Sequence, residues 1–127
     1  MALEFRLRKH AEFQRVYKTA GRKQFGKLLA YFVAPRAAEW RSATNGARIG
    51  LTVPKAMGGA VDRNRIKRRL RAAVRRHVGL LDGVRVDVVF HPKRAVLDAE
   101  WAAVEREVEL TFRAIRSRSG EPTKEQA

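Results

Sequence analysis

The stretch RNRIKRRLRAAVRR, residues 63–76, constrains this chain more than any other part of it. Eight of its fourteen residues are Lys or Arg and none is acidic. Within a few helical turns such charges repel one another unless counter-ions or a polyanion offset them. Ile66, Leu70, Ala73, Val74 and His77 interrupt the charges at spacings that share one side of a helix. The stretch is therefore predicted to be a helix with one face in a core and the rest open to a ligand. Seven of the eight basic residues are Arg, whose planar fork suits bidentate contact with phosphate.

The rest of the chain repeats this bias unevenly. It carries 28 Lys and Arg against 13 Asp and Glu, a net charge of +15. Residues 1–81 hold 20 basic and 4 acidic side chains, whereas residues 82–127 hold 8 and 9. That asymmetry points to a polyanionic partner, with nucleic acid ahead of a membrane surface. At 127 residues the chain is long enough for one domain, and 45% apolar content excludes a compositionally disordered one. The absence of Cys excludes a disulfide scaffold, a thiolate metal site and a Cys nucleophile. The longest apolar run, residues 28–34, is too short to cross a bilayer, and MALEFRLRKH has no signal-peptide apolar region. The expectation is a cytoplasmic protein with no membrane role and no implied protein partner.

Local patterns give the order α-β-β-α-β-α. Phe13, Val16, Tyr17 and Ala20 follow helical spacing, which predicts a helix over about residues 10–19. KLLAYFVAP, residues 27–35, reads as a strand with Leu28, Ala30 and Phe32 on one side and Leu29, Tyr31 and Val33 on the other. Residues 36–46 end in Asn45-Gly46 and read as a loop between paired strands. Residues 47–54 alternate, placing Ile49, Leu51 and Val53 on a buried face and Arg48, Gly50 and Thr52 on the other. A helix starts near residues 60–62, and residues 84–92 form another strand, giving a βαβ unit. A last helix is expected over residues 98–116, capped by Asp98, with Trp101, Val104, Val108, Phe112 and Ile115 inward and an acidic outer face. Residues 1–116 are expected to be one domain and residues 117–127 a disordered tail; a small extra strand around 22–26 fits as well.

No protein-based catalytic site is legible. HExxH, GxSxG and GxxxxGK[ST] are all absent. His77 sits on the apolar stripe and reads as a half-buried core residue. Asp87 and His91 share strand parity, a pattern equally common on solvated strand faces. Phe13 and Tyr17 fit two roles, packing between helix and sheet or lining a groove.

The run from Lys55 through Gly58-Gly59-Ala60 to Arg63-Asn64-Arg65-Ile66-Lys67-Arg68 and Arg71 resembles the signature of the bacterial ribonuclease P protein subunit. The likeness spans about residues 6–116 and includes Phe13-Gln14-Arg15-Val16-Tyr17-Lys18. The chain departs from the family pattern at Gly59, at Gly21 and at His91-Pro92-Lys93.

The resemblance implies an α/β (α+β) two-layer sandwich around a small mixed sheet, with a left-handed βαβ crossover in place of the usual right-handed one. It implies a large catalytic RNA and precursor tRNA as partners. Together they would remove the tRNA 5′ leader by Mg²⁺-dependent hydrolysis, with Mg²⁺ on the RNA, no cofactor on the protein and the chemistry in the RNA. Lys55, Arg63, Asn64, Arg65, Lys67, Arg68 and Arg71 are then expected at the catalytic RNA, contacting phosphates and 2′-hydroxyls. Phe13, Tyr17 and Tyr31 are expected to stack leader bases, with Arg6, Arg8 and Lys9 near the rim of that cleft.

Overall fold

A strand from the second half of the chain lies inside the sheet and organises the fold. The computed structural model describes residues 6–7, 10–20, 22–36 and 46–118. In chain order these form α1 (His10–Ala20), β1 (Gln24–Phe25), β2 (Leu29–Pro35), β3 (Arg48–Leu51), α2 (Ala60–His77), β4 (Val86–Pro92) and α3 (Trp101–Arg118), with short 3-10 turns between. The sheet order is β1-β2-β4-β3; β4 runs antiparallel to β2 and parallel to β3. β2 and β3 are therefore not paired with each other, contrary to the expected hairpin-like connection. β3, α2 and β4 form the parallel βαβ unit. Residues 37–45 of the expected loop lie outside the described residues.

β4 reads VDVVFHP and is buried at all but one position, as a central strand must be. Val86, Val88 and Phe90 join the main core with Leu29, Tyr31 and Ile49 from the sheet and the apolar stripes of α2 and α3. The α2 stripe is Ile66, Leu70, Ala73 and Val74, as its spacing predicts. On the opposite sheet face a smaller cluster joins Val89 and Ala34 to Val16 and Leu7, with Phe13, Tyr17 and Phe32 packed around it. α1 covers this second face.

The face of β3 expected to be solvated is thus covered. Arg48 is buried there, and a Cβ on Gly50 would stand 2.6 Å from the Phe13 ring. Only glycine lets α1 approach that closely. α3 begins at Trp101, three residues after its expected cap. Asp98 instead closes the 3-10 turn Arg94–Leu97, and Trp101 is exposed rather than inward. Ser117 and Arg118, expected in the tail, are the end of α3; residues 119–127 lie outside the described residues.

Candidate nucleic-acid interface

α2 carries its charges on two flanks that the fold treats differently. On the flank toward α3 the guanidiniums are used internally. Arg65 Nε donates to the Leu97 carbonyl at 3.2 Å. Arg69 donates to the same oxygen at 3.4 Å and to the Ala99 carbonyl. Arg76 pairs with Glu105 at 2.5 Å, and His77 Nε2 lies 3.3 Å from the same carboxylate. Glu105 of α3 and the carbonyls that precede α3 therefore take up this flank of α2. At the helix start, Arg63 Nε donates to the carbonyl of Gly58 at 3.0 Å. Gly58 has φ +139, a region that disfavours a side chain.

The other flank holds Asn64, Lys67, Arg68, Arg71 and Arg75, spaced three and four apart. None makes a side-chain hydrogen bond or ion pair among the described residues, and the same holds for Lys55. Arg71 and Arg75, with Arg6, line a groove of about 280 Å³ whose apolar wall is Phe13, Ile49, Leu51 and Val74. Burial, then repulsion from Arg6 and Arg75, lowers the Arg71 pKa from its ordinary value. An anion entering the groove relieves that repulsion.

Of the seven residues expected at the catalytic RNA, the structure gathers Asn64, Lys67, Arg68 and Arg71 on the unpartnered flank. It commits Arg63 and Arg65 to protein carbonyls and leaves Lys55 on the preceding 3-10 turn. Arg75 belongs to the same flank and Arg6 stands beside it. Sequence reasoning passed over Arg75, although 67, 71 and 75 repeat at four. Arg8 and Lys9, expected at the same rim, lie outside the described residues.

A second surface lies over the sheet beneath α1. The Tyr17 hydroxyl is 3.0 Å from His91 Nε2 and 3.1 Å from Thr52 Oγ1. The Phe32 ring meets Tyr17 and His91 edge-on, at centroid distances of 5.0 and 5.3 Å. Burial and the nearby Lys23 ammonium lower the His91 pKa, so the imidazole is neutral at neutral pH.

Tyr31 is not part of this surface. It is 5% exposed, on the other face of β2, with its ring 6.5 Å from Phe90. Strand parity correctly separated Tyr31 from Phe32. The expectation that Tyr31 stacks leader bases beside Phe13 and Tyr17 does not hold, because both faces of β2 are covered and only the packing of α1 tells them apart. Phe32 and His91 stand where Tyr31 was expected. Asp87, four residues before His91 on the same face, is held by Arg48 and Arg15 and makes no pair with it.

Among the described residues no three His, Asp or Glu side chains gather to hold a metal ion, and no helix is long and apolar enough to cross a membrane. A mixed sheet with helices on both faces, an arginine flank and an aromatic groove define a small basic α+β protein of the nucleic-acid-binding kind. The family model for ribonuclease P matches residues 1–116. The ribonuclease P protein component of Brucella melitensis biotype 1 is 38% identical over 106 residues, 81% of this chain and 74% of that protein. Its counterpart in Beutenbergia cavernae is 37% identical over 116 residues, 89% of this chain and 91% of that one. The solved structure of the Staphylococcus aureus RNase P protein covers 87% of this chain and 94% of that one, with a TM-score of 0.69 at 24% identity, a likeness of fold. The chain belongs to the ribonuclease P protein component family. Membership implies a part in a ribonuclease ribonucleoprotein and in tRNA 5′ processing.

Proposed function

We propose that this chain binds the catalytic RNA of ribonuclease P through the unpartnered flank of α2 and holds the single-stranded 5′ leader of precursor tRNA over the sheet face beside α1. The observation that carries the reading is the split of α2: among the described residues Lys67, Arg68, Arg71 and Arg75 have no side-chain partner, and Arg71 and Arg75 line a groove walled by Phe13. Phosphates neutralise that flank. Tyr17, Phe32 and His91 offer flat, uncharged rings, which stack bases with little regard to sequence and so suit many precursors. The left-handed crossover and the cytoplasmic location belong to the same proposal.

In this reading hydrolysis takes place in the RNA. The carboxylates on the α1 face do not fit a protein-held Mg²⁺, because Asp87 is engaged by Arg48 and Arg15, and Glu12 by Arg48. Mg²⁺ is accordingly assigned to RNA phosphates. The test is to incubate precursor tRNA and Mg²⁺ with the chain alone and with the chain plus the catalytic RNA. Cleavage at the leader junction is expected only when the RNA is present, and the protein is expected to tighten precursor binding. Site-specific cleavage by RNA-free protein, or equal binding of precursor with and without the protein, overturns the proposal.

A further inference from the structure

Between Glu39 and Asp82 the chain carries one acidic residue, Asp62. It stands in the first turn of α2, at the start of the helix that displays the arginine flank. Its place there has a folding reason. Gly59, the residue before α2, has no side chain to cap the helix, so the first-turn carboxylate is what meets the positive end of the helix dipole. The same carboxylate opposes RNA. At 1.5 Å per residue, Asn64 is about 3 Å and Arg68 about 9 Å further along the helix axis. The screening length at physiological ionic strength is about 8 Å, so a phosphate brought to this end of α2 feels a bare charge at Asp62.

One side chain from elsewhere meets that charge. Arg94, on the 3-10 turn after β4, donates from Nη2 to Asp62 Oδ2 at 3.2 Å and from Nη1 to the Met57 carbonyl at 2.5 Å. Gly58 makes the room. A Cβ there would stand 2.6 Å from Arg94 Nη1, at a φ of +139 that already disfavours one. Two guanidiniums thus hold the turn before α2, since Arg63 Nε takes the Gly58 carbonyl. The Arg94 and Asp62 side chains are 56% and 40% exposed. An ion pair as wet as this adds little to folding, so stability is a poor account of it. Its effect on an incoming polyanion needs no burial, because the charge is cancelled on the surface the polyanion approaches.

We propose that Arg94 is a charge-masking residue for catalytic-RNA binding. It cancels Asp62 at the start of α2, so the helix keeps its stabilising acid while phosphates meet no bare carboxylate. The inference rests on the reading of α2 as the surface for the catalytic RNA.

The experiment measures catalytic-RNA affinity and thermal melts of the full chain at about 50 and about 200 mM salt. Arg94→Gln, Asp62→Asn, the double variant and Arg68→Ala are compared with the unaltered chain. At the lower salt Arg94→Gln is expected to weaken binding about two- to fivefold, the effect of one solvated charge. Asp62→Asn is expected to strengthen binding by a similar factor and to lower the melting temperature, so that affinity and stability move in opposite directions. The double variant is expected to bind within about twofold of the unaltered chain, because its local charge is again balanced. These differences should shrink at the higher salt. A double variant as weak as Arg94→Gln overturns the masking, since Arg94 then grips RNA itself or acts only by holding the Met57 carbonyl. If Arg94→Gln binds like the unaltered chain while Arg68→Ala is weakened, the masking is wrong and the α2 reading stands. If neither substitution changes affinity, both fail.

Discussion

Arg48 and Asp87 are register partners across the β3–β4 ladder, and their side chains close a bidentate pair, Nε to Oδ1 at 2.9 Å and Nη2 to Oδ2 at 2.8 Å. Both are buried. From α1, Glu12 reaches Arg48 at 3.1 Å and Arg15 reaches Asp87 at 3.5 Å, while Arg15 also donates to the Pro35 carbonyl at 2.8 Å. The pair is thus the point at which α1 is clipped to the sheet.

Asp87→Ala removes the bidentate partner of the Arg48 guanidinium in a dry site. The expected cost is about 3–5 kcal/mol, the range for removing one partner of a buried pair. Urea denaturation measures it. A loss below about 1 kcal/mol, the value for solvated pairs, contradicts the burial of this cluster.

The two flanks of α2 predict opposite phenotypes. Arg68→Ala and Arg71→Ala are expected to weaken catalytic-RNA binding by about 1.5–3 kcal/mol each, the range for charged hydrogen bonds. Neither is expected to lower the melting temperature, and loss of Arg71 also removes its repulsion with Arg6 and Arg75. Arg69→Ala is expected to leave affinity near its original value and to destabilise the fold, since the Ala99 carbonyl loses the Arg69 donor and the Leu97 carbonyl is left with Arg65. Binding titrations beside thermal melts separate these outcomes.

A phosphate-dominated interface is strongly salt dependent. Raising salt from about 50 to 200 mM is expected to weaken RNA binding by orders of magnitude. Arg71→Ala should flatten the slope of log affinity against log salt; Arg69→Ala should not.

His91 gives the protein a pH signature. Its pKa in the folded protein lies below the ordinary value near 6.5. Between those two values the unfolded chain binds more protons than the folded one, so stability rises with pH. This contribution is complete above about pH 6.5 and is lost as pH falls through the folded pKa of His91. Melts taken across that window should show the slope in the unaltered chain and a smaller one in His91→Gln, whose amide does not titrate.

Tyr31 and Phe32, adjacent in sequence, predict different losses. Tyr31→Ala opens a cavity beside Phe90 and is expected to cost about 3–5 kcal/mol, like other large aromatic truncations. Tyr31→Phe is expected to leave leader affinity unchanged. A selective loss of precursor binding in Tyr31→Phe contradicts its placement in the core.

The α2 stripe was legible because helical spacing alone puts Ile66, Leu70 and Val74 together. The alternation of Tyr31 with Phe32 was legible for the same local reason. Strand order was not, because nothing within residues 29–51 records that a strand from residues 86–92 lies between β2 and β3. The burial of Arg48 was hidden by its polar neighbour Thr52 and small neighbour Gly50, which imitate a solvated face. The division of α2 into a tied and an untied flank needed α3, whose Glu105 lies 28 residues beyond His77.

The central position of β4 also sets an order of assembly during synthesis. A nascent chain that has emerged as far as α2 holds β1 and β2, which pair only with each other, and β3, whose ladder partner has not yet been made. The arginine helix is then complete while β4 and α3, which cover its apolar stripe, are still to come. Much of the sheet's pairing waits on contacts far apart in sequence, the slow kind to form. The most nucleic-acid-attracting segment of the molecule is therefore available to a polyanion before the domain that displays it has folded.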